Sequence, residues 1–337
     1  MSGVELAMDA NNAIIVDAFV KCHDILSNHK HALVSISGGS DSDVMLDLVE
    51  RTKDGTGCEI SYVWFDTGLE YEATKRHLTE LEERYGISVI RHKARKSIPT
   101  CLREYGQPFM SKYISHHLQA LQKHGFQFED KPYEELIERY PRCSSALKWW
   151  CDKWTRTSEP GYFDIGRHRW LKEFMVKNPP WFRISDKCCT YAKKYPAKDA
   201  NKALGVDLEL IGIRRQEGGA RSTISTCFSP HDDVDTYRPL LWFSDSDKDE
   251  YDRIYRITHS DCYEKWGYRR TGCVGCPFAR SYWEEIEKAK VHEPKLAKAA
   301  QAIFKDSYEY TRMYRRYVDK QYDVLYRLPN DWRKDDA

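Results

Sequence analysis

His31-Ala-Leu-Val-Ser-Ile-Ser-Gly-Gly-Ser-Asp-Ser-Asp-Val-Met-Leu-Asp-Leu-Val49 decides how this 337-residue chain is read. His31 to Ile36 is a short apolar run of strand length, and Val44, Met45, Leu48 and Val49 then recur at helical spacing. Between them lies Ser37-Gly38-Gly39-Ser40-Asp41-Ser42. A glycine loop that joins a strand to a helix start offers unbonded backbone amides and the positive end of the helix dipole, which suits a phosphate. No Gly-Lys-Ser/Thr follows, so this is not the lysine-bearing loop of the commoner nucleotide hydrolases. The alternative is an ordinary Gly-Ser turn in which Asp41 or Ser42 caps the helix.

The neighbouring segments extend the pattern. Residues 11–29 read as an amphipathic helix through Ile14, Ile15, Ala18, Phe19, Cys22, Ile25 and Leu26. Ile60 to Phe65 is a second strand ending at Asp66-Thr67-Gly68, followed by a helix over about 71–85 and a third strand, Ile87 to Arg91. Leu208 to Ile213 is a further strand, stopping at Arg214-Arg215. Alternating strands and helices predict an α/β fold with a mainly parallel sheet flanked by helices, the ligand lying across the carboxyl ends of the strands.

Residues 91–187 differ, with 19 Lys/Arg against 11 Asp/Glu and five of the ten Trp: Trp149, Trp150, Trp154, Trp170 and Trp181. They read as a helical insertion that either stacks on nucleic-acid bases beside Arg167 and Arg169, or uses its tryptophans as a core. After Pro277 long helices follow. The expected organisation is a core over 1–95 and 187–280, an insertion over 96–186 and a C-terminal helical segment over 281–337.

Composition limits the function classes. Net charge is +1, with 41% hydrophobic residues, so neither global disorder nor a whole-protein pull toward nucleic acid is expected. No run approaches membrane-spanning length and Met1 to Ala10 has no leader character, predicting a soluble cytoplasmic protein without membrane contact. Eleven cysteines in such a compartment are expected as thiols, metal ligands or reactive groups. Cys22 and Cys58 read as core; Cys101, Cys143, Cys151 and Cys227 stay unassigned. The 12 His show no metal-spaced pair and receive no ligand role.

The motifs resemble a known family. Ser37 to Ser42 looks like the pyrophosphate (PP) loop of the adenine-nucleotide alpha hydrolases, whose fold is Rossmann-like. Trp64-Phe-Asp-Thr-Gly-Leu-Glu-Tyr71, Gly212-Ile-Arg-Arg-Gln-Glu-Gly-Gly-Ala-Arg-Ser222, Tyr237-Arg-Pro-Leu-Leu-Trp242, and Cys188-Cys189 with Lys193 and Pro196 resemble the phosphoadenosine phosphosulfate (PAPS) reductase branch. Ala192 stands where that branch usually has an arginine. The resemblance implies that Ser37, Gly38, Gly39, Ser40, Asp41 and Ser42 hold phosphates, that Asp66, Thr67 and Gly68 lie beside the adenosine, and that Arg214, Arg215 and Arg221 meet the anionic end. Asp41, Lys193 and Arg214 would be catalytic.

Cys188-Cys189 with Cys273-Val-Gly-Cys276 resembles the 4Fe-4S pattern of iron-sulfur adenylyl-sulfate reductases, and related proteins make Cys262 a further candidate. The expected set is Cys262, Cys273 and Cys276 with one of the pair; Zn²⁺ or plain buried thiols are the alternatives. The implied function is ATP cleavage at the α-phosphate with Mg²⁺ and release of pyrophosphate. It would serve sulfur transfer or nucleic-acid modification, with a sulfur-donor protein and a nucleic-acid acceptor at residues 91–187 as partners. A reductase acting on PAPS or adenylyl sulfate, and a non-catalytic nucleotide- or nucleic-acid-binding module, are the rivals. The reductase is disfavoured because the last cysteine, Cys276, lies far from the end of the chain, where such enzymes carry a mobile nucleophile.

Overall fold

The computed structural model describes residues 11–153 and 164–326; Trp154 and the N-terminal ten residues discussed above lie outside them. Cα packing divides the chain into two compact units. Unit 1 comprises Met1–Ile98, Cys189–Val274 and Glu285–Ala297, and unit 2 comprises Pro99–Cys188, Gly275–Glu284 and Lys298–Ala337. The stretch expected to be one C-terminal segment, 281–337, is thus shared between the units.

Unit 1 is built on a six-stranded sheet: β1 (His31–Ile36), β2 (Glu59–Asp66), β3 (Val89–Lys93), β4 (Leu208–Ile211), β5 (Phe228–Ser229) and β6 (Asp235–Tyr237), in the order β3-β2-β1-β4-β6-β5. All pairings are parallel except β5 with β6. The order runs outward from β1 toward β2 and β3 on one side and toward β4 on the other. The connections after β1 and β4 therefore diverge, and the carboxyl ends of these two strands form the crevice where open α/β sheets take ligands.

Helices α1 (Ala13–Ser27), α2 (Ser40–Thr52), α3 (Glu72–Tyr85), α4 (Tyr195–Leu204) and α5 (Asp245–Tyr255) accompany the sheet. Alternation along β1 sorts its side chains onto two faces: Ala32, Val34 and Ile36 join a core with Phe19, Met45 and Tyr251, while Leu33 packs with Val63, Ala200 and Val206. The apolar face predicted for α1 is buried through Ile15, Ala18, Phe19, Cys22 and Leu26, and the Asn12 side chain caps its start by accepting from the amides of Ile14 and Ile15.

Two strands are displaced from their expected bounds. β3 begins two residues late because Gly86 ends α3 in the left-handed region and Ile87 bonds back to Glu82, which uses the intervening backbone. β4 stops at Ile211 because Ile213 N turns back onto the Ile211 carbonyl.

Unit 2 is helical, with a core that includes Phe109, Leu118, Trp149, Trp150, Phe174 and Tyr310. Trp149 and Trp150 are wholly inaccessible, so these two tryptophans are core rather than stacking surface, whereas Trp181 is about half exposed. No helix among the described residues is long and apolar enough to cross a membrane.

Candidate functional site at the carboxyl ends of β1 and β4

The loop after β1 is tied by its own serines. Ser42 Oγ accepts from Ser37 N at 3.2 Å and donates to Gly39 O at 2.8 Å, and Gly39 N donates to Ser37 Oγ at 3.2 Å. The amides of Ser42 and Asp43 bond back to Gly39 O, while those of Ser40 and Asp41, at the very start of α2, have no intrahelical acceptor. Gly38 has φ +67°, and a Cβ there would meet Thr74 Cγ2 at 2.5 Å, so glycine is required on both counts. Gly39 has ordinary extended backbone; a Cβ on it would meet Ser37 Oγ, Tyr263 Oη and Thr271 Oγ1 at 3.2–3.4 Å. Gly212 lets the end of β4 approach the loop, since a Cβ there would be 3.0 Å from the Asp41 carbonyl.

The arginine segment does more than offer free cations. Arg214 is buried, its Nε bonded to Asp41 Oδ1 at 3.0 Å and its Nη1 to Asp245 Oδ1 at 2.7 Å, which raises its pKa despite burial. It anchors Asp41. Arg215 is exposed, lies over the Trp242 ring at 5.1 Å and donates to the Ser222 carbonyl. Arg221 pairs with Glu217; its pKa is lowered first by desolvation and then by the neighbouring Arg270 and Arg214, with Asp41 opposing. Arg214, Arg215 and Arg221 thus flank the loop, with Arg214 and Arg221 matched by carboxylates.

At the end of β2, Asp66 Oδ1 accepts from Gly68 N at 2.8 Å. The Glu70 carboxylate turns inward and accepts from the amides of Thr67 and Leu69 and from Thr67 Oγ1. Burial raises the Glu70 pKa against the opposing effects of Thr67 and Lys193. Lys193 stands on a π-helical turn, Thr190–Lys194, a geometry that re-aims side chains and recurs at functional sites. It lines a cleft of about 120 Å³ together with Ser37, Trp64, Phe65, Glu70 and Thr271.

The cysteines have different surroundings. Cys273 Sγ lies 3.4 Å from Thr67 Oγ1; burial raises its pKa, Lys193 opposes, and Cys189 is among its ionisable neighbours. Cys262 is fully buried near Ser260 and Thr74 and is pushed up to about 11, burial being the main cause. Among the described residues no group of three or more His, Cys, Asp or Glu side chains is gathered to hold a metal ion. Of the expected ligands, Cys189, Cys262 and Cys273 belong to unit 1, while Cys188 and Cys276 belong to unit 2.

Sequence reasoning missed Glu70, Tyr263, Arg270 and Thr271. Arg269-Arg270-Thr271 immediately before Cys273 was the available signal, overshadowed by the cysteines themselves.

The sheet order and the serine-glycine loop opening α2 define an α/β protein of the PP-loop kind. The chain belongs to the phosphoadenosine phosphosulfate reductase domain family, whose model matches residues 31–127 and 164–279. A curated relative, an uncharacterized protein of Methanocaldococcus jannaschii, is 39% identical over 79 residues, which is 23% of this chain and 16% of that protein. The match therefore spans about a sixth of that relative's length. Among solved structures, the phosphoadenylyl-sulfate (PAPS) reductase of Candida auris in a phosphate complex is similar at 14% identity and TM-score 0.38, over 72% of this chain and 80% of that one. The U34-tRNA thiolase NcsA of Methanococcus maripaludis with its [4Fe-4S] cluster is similar at 12% identity and TM-score 0.39, over 90% and 79%.

Proposed function

We propose that unit 1 binds ATP or a related adenine nucleotide with its phosphates on Ser37–Ser42 and cleaves it between the α- and β-phosphorus. The carrying observation is the loop itself: a glycine-serine helix start at the divergence of β1 and β4, with Asp41, Arg214 and Arg270 around Arg221. A nucleophilic oxygen of the acceptor attacks the α-phosphorus, the bond to the bridging oxygen breaks, and pyrophosphate leaves with the electron pair. Arg221 and Lys193 are suited to the charge on the phosphates, Arg214 to fixing Asp41, and Asp66 to Gly68 to the nucleoside side of the cleft. Mg²⁺ is held mainly by phosphates and water, so it would enter with the nucleotide and neutralise the departing pyrophosphate.

The adenylated acceptor serves sulfur transfer or nucleic-acid modification in this reading, with basic residues 91–187 offered to a nucleic acid and a sulfur-donor protein as co-reactant. The 4Fe-4S proposal rests on the cysteine pattern; about four iron per chain in anaerobic protein would support it and stoichiometric zinc would remove it. The decisive assay is pyrophosphate release from ATP with tRNA or DNA as acceptor. Release dependent on acceptor and lost in Lys193→Ala is expected; tight ATP binding without release under any acceptor would favour the binding-module alternative.

A further inference from the structure

Directly after the loop, in the first turn of α2, stands a carboxylate that the proposed chemistry does not use. Asp43 is completely inaccessible, and its Oδ2 lies 3.0 Å from His77 Nε2 and 2.8 Å from His259 Nδ1, while its Oδ1 has no hydrogen-bond partner. Each imidazole faces a second acid. His77 Nδ1 is 3.2 Å from Glu80 Oε2, and His259 Nε2 is 3.1 Å from Asp252 Oδ2. Lys248 Nζ bonds the same Asp252 oxygen at 2.6 Å and lies 3.3 Å from His259 Nε2; the Tyr263 ring stands 5.8 Å from His259, and the Glu264 carboxylate accepts from His259 N. An imidazole that donates from both nitrogens to carboxylates is in its protonated form, although at His259 the Lys248 ammonium competes for Nε2. A buried carboxylate without such partners would be costly enough to shed its charge.

We propose that Asp43 is a positioning residue for the phosphate loop, its carboxylate locking the first turn of α2 to α3 through His77 and to the segment after α5 through His259, so that imidazole protonation governs how firmly the loop holds a phosphate. The proposal rests on the reading of Ser37–Ser42 as the phosphate site. Asp43 N also bonds to Gly39 O, so the residue held by the two imidazoles is tied to the loop through its backbone as well. The charges agree with the geometry. Burial opposes both imidazolium ions, yet the bonds to Asp252 and Asp43 hold His259 up to about 9 against Lys248, and Asp43 with Glu80 raises His77. Asp43 is lowered by both histidines against its own burial. Because His259 has a folded value of about 9 against 6.5 ordinarily, its contribution is complete below about pH 6.5 and disappears as pH rises through about 9.

The test pairs a nucleotide-free measurement with a binding one. Imidazole NMR titration and amide-exchange protection factors at residues 38–43 are followed from about pH 6 to about pH 10, beside calorimetry with a non-hydrolysable ATP analogue and Mg²⁺. In the wild type, His259 should titrate near 9, and loop protection and analogue affinity should each fall roughly tenfold or more across that step. Asp43→Asn should return His259 toward its ordinary value, and both Asp43→Asn and His259→Gln should lose the step; the wild-type profile alone decides the matter if a variant does not fold. A His259 titrating in the ordinary range, or loop protection that ignores its titration, would overturn the positioning role. Loop protection that follows His259 without analogue binding at any pH would refute the nucleotide reading and leave the clamp standing. Tight binding with pH-independent protection would do the reverse.

Discussion

The two units bury histidine in opposite ways. In unit 2, His117 stacks on Trp149 with ring centroids 5.1 Å apart and planes 8° from parallel, and burial among such rings depresses its pKa to about 4. In unit 1, His77 and His259 are comparably inaccessible but meet carboxylates, which raise both. The same side chain is held neutral by an aromatic core and ionised by an acidic one. Unit 2 is organised for packing. Unit 1 accepts buried ionisable side chains such as Asp43, Asp47, Glu70 and Arg214 in and around the segments that shape the loop and cleft.

The largest effect that would break this contrast is in unit 2. Trp150→Ala should lower stability by about 3–5 kcal/mol in denaturant unfolding, because a fully buried indole leaves a cavity. Analogue binding should be retained where the variant is folded. Unchanged stability with lost nucleic-acid binding would restore the stacking reading for that residue. Next comes the acid limb of the stability profile. With a folded value of about 4 against 6.5, His117 contributes fully above about pH 6.5 and withdraws up to about 3 kcal/mol as pH falls toward 4. His117→Phe should flatten that limb relative to the wild type. A wild-type His117 titrating above 6 would contradict it. The smallest effect is at the end of β2: Glu70→Gln, which keeps the shape but weakens acceptance from Thr67 and Leu69, should cost about 1–2 kcal/mol in thermal unfolding and loosen the cleft. No change would mean that the turn is held by its backbone alone.

How much of this was legible depends on whether the signal is local. The strand, loop and helix at His31–Thr52 are written in adjacent residues, as is the turn at Asp66-Thr67-Gly68, and both are found where expected. The short strands β5 and β6 carry too few residues for any periodicity and passed unnoticed. His77 and His259 are 182 positions apart and meet only through Asp43, so no spacing rule could unite them. Arg214 was recognised as a cation beside the anion site, but its two carboxylate partners come from α2 and α5, and sequence alone could not give it its anchoring contacts. The cysteine pattern is a strong local signal of another kind: its members are divided between the two units, so spacing in the sequence does not say which of them meet.

The central claim is that the Ser37–Ser42 loop receives nucleotide phosphate, and calorimetry of ATP with Mg²⁺ on the wild type and on Gly39→Asp tests it most directly. Gly39 has an unstrained backbone, so the variant should fold, while its carboxylate would enter the space bounded by Ser37, Tyr263 and Thr271 and repel a phosphate. The account predicts binding by the wild type and a loss of at least about a hundredfold in the folded variant. Equal ATP affinity in the two proteins would contradict it.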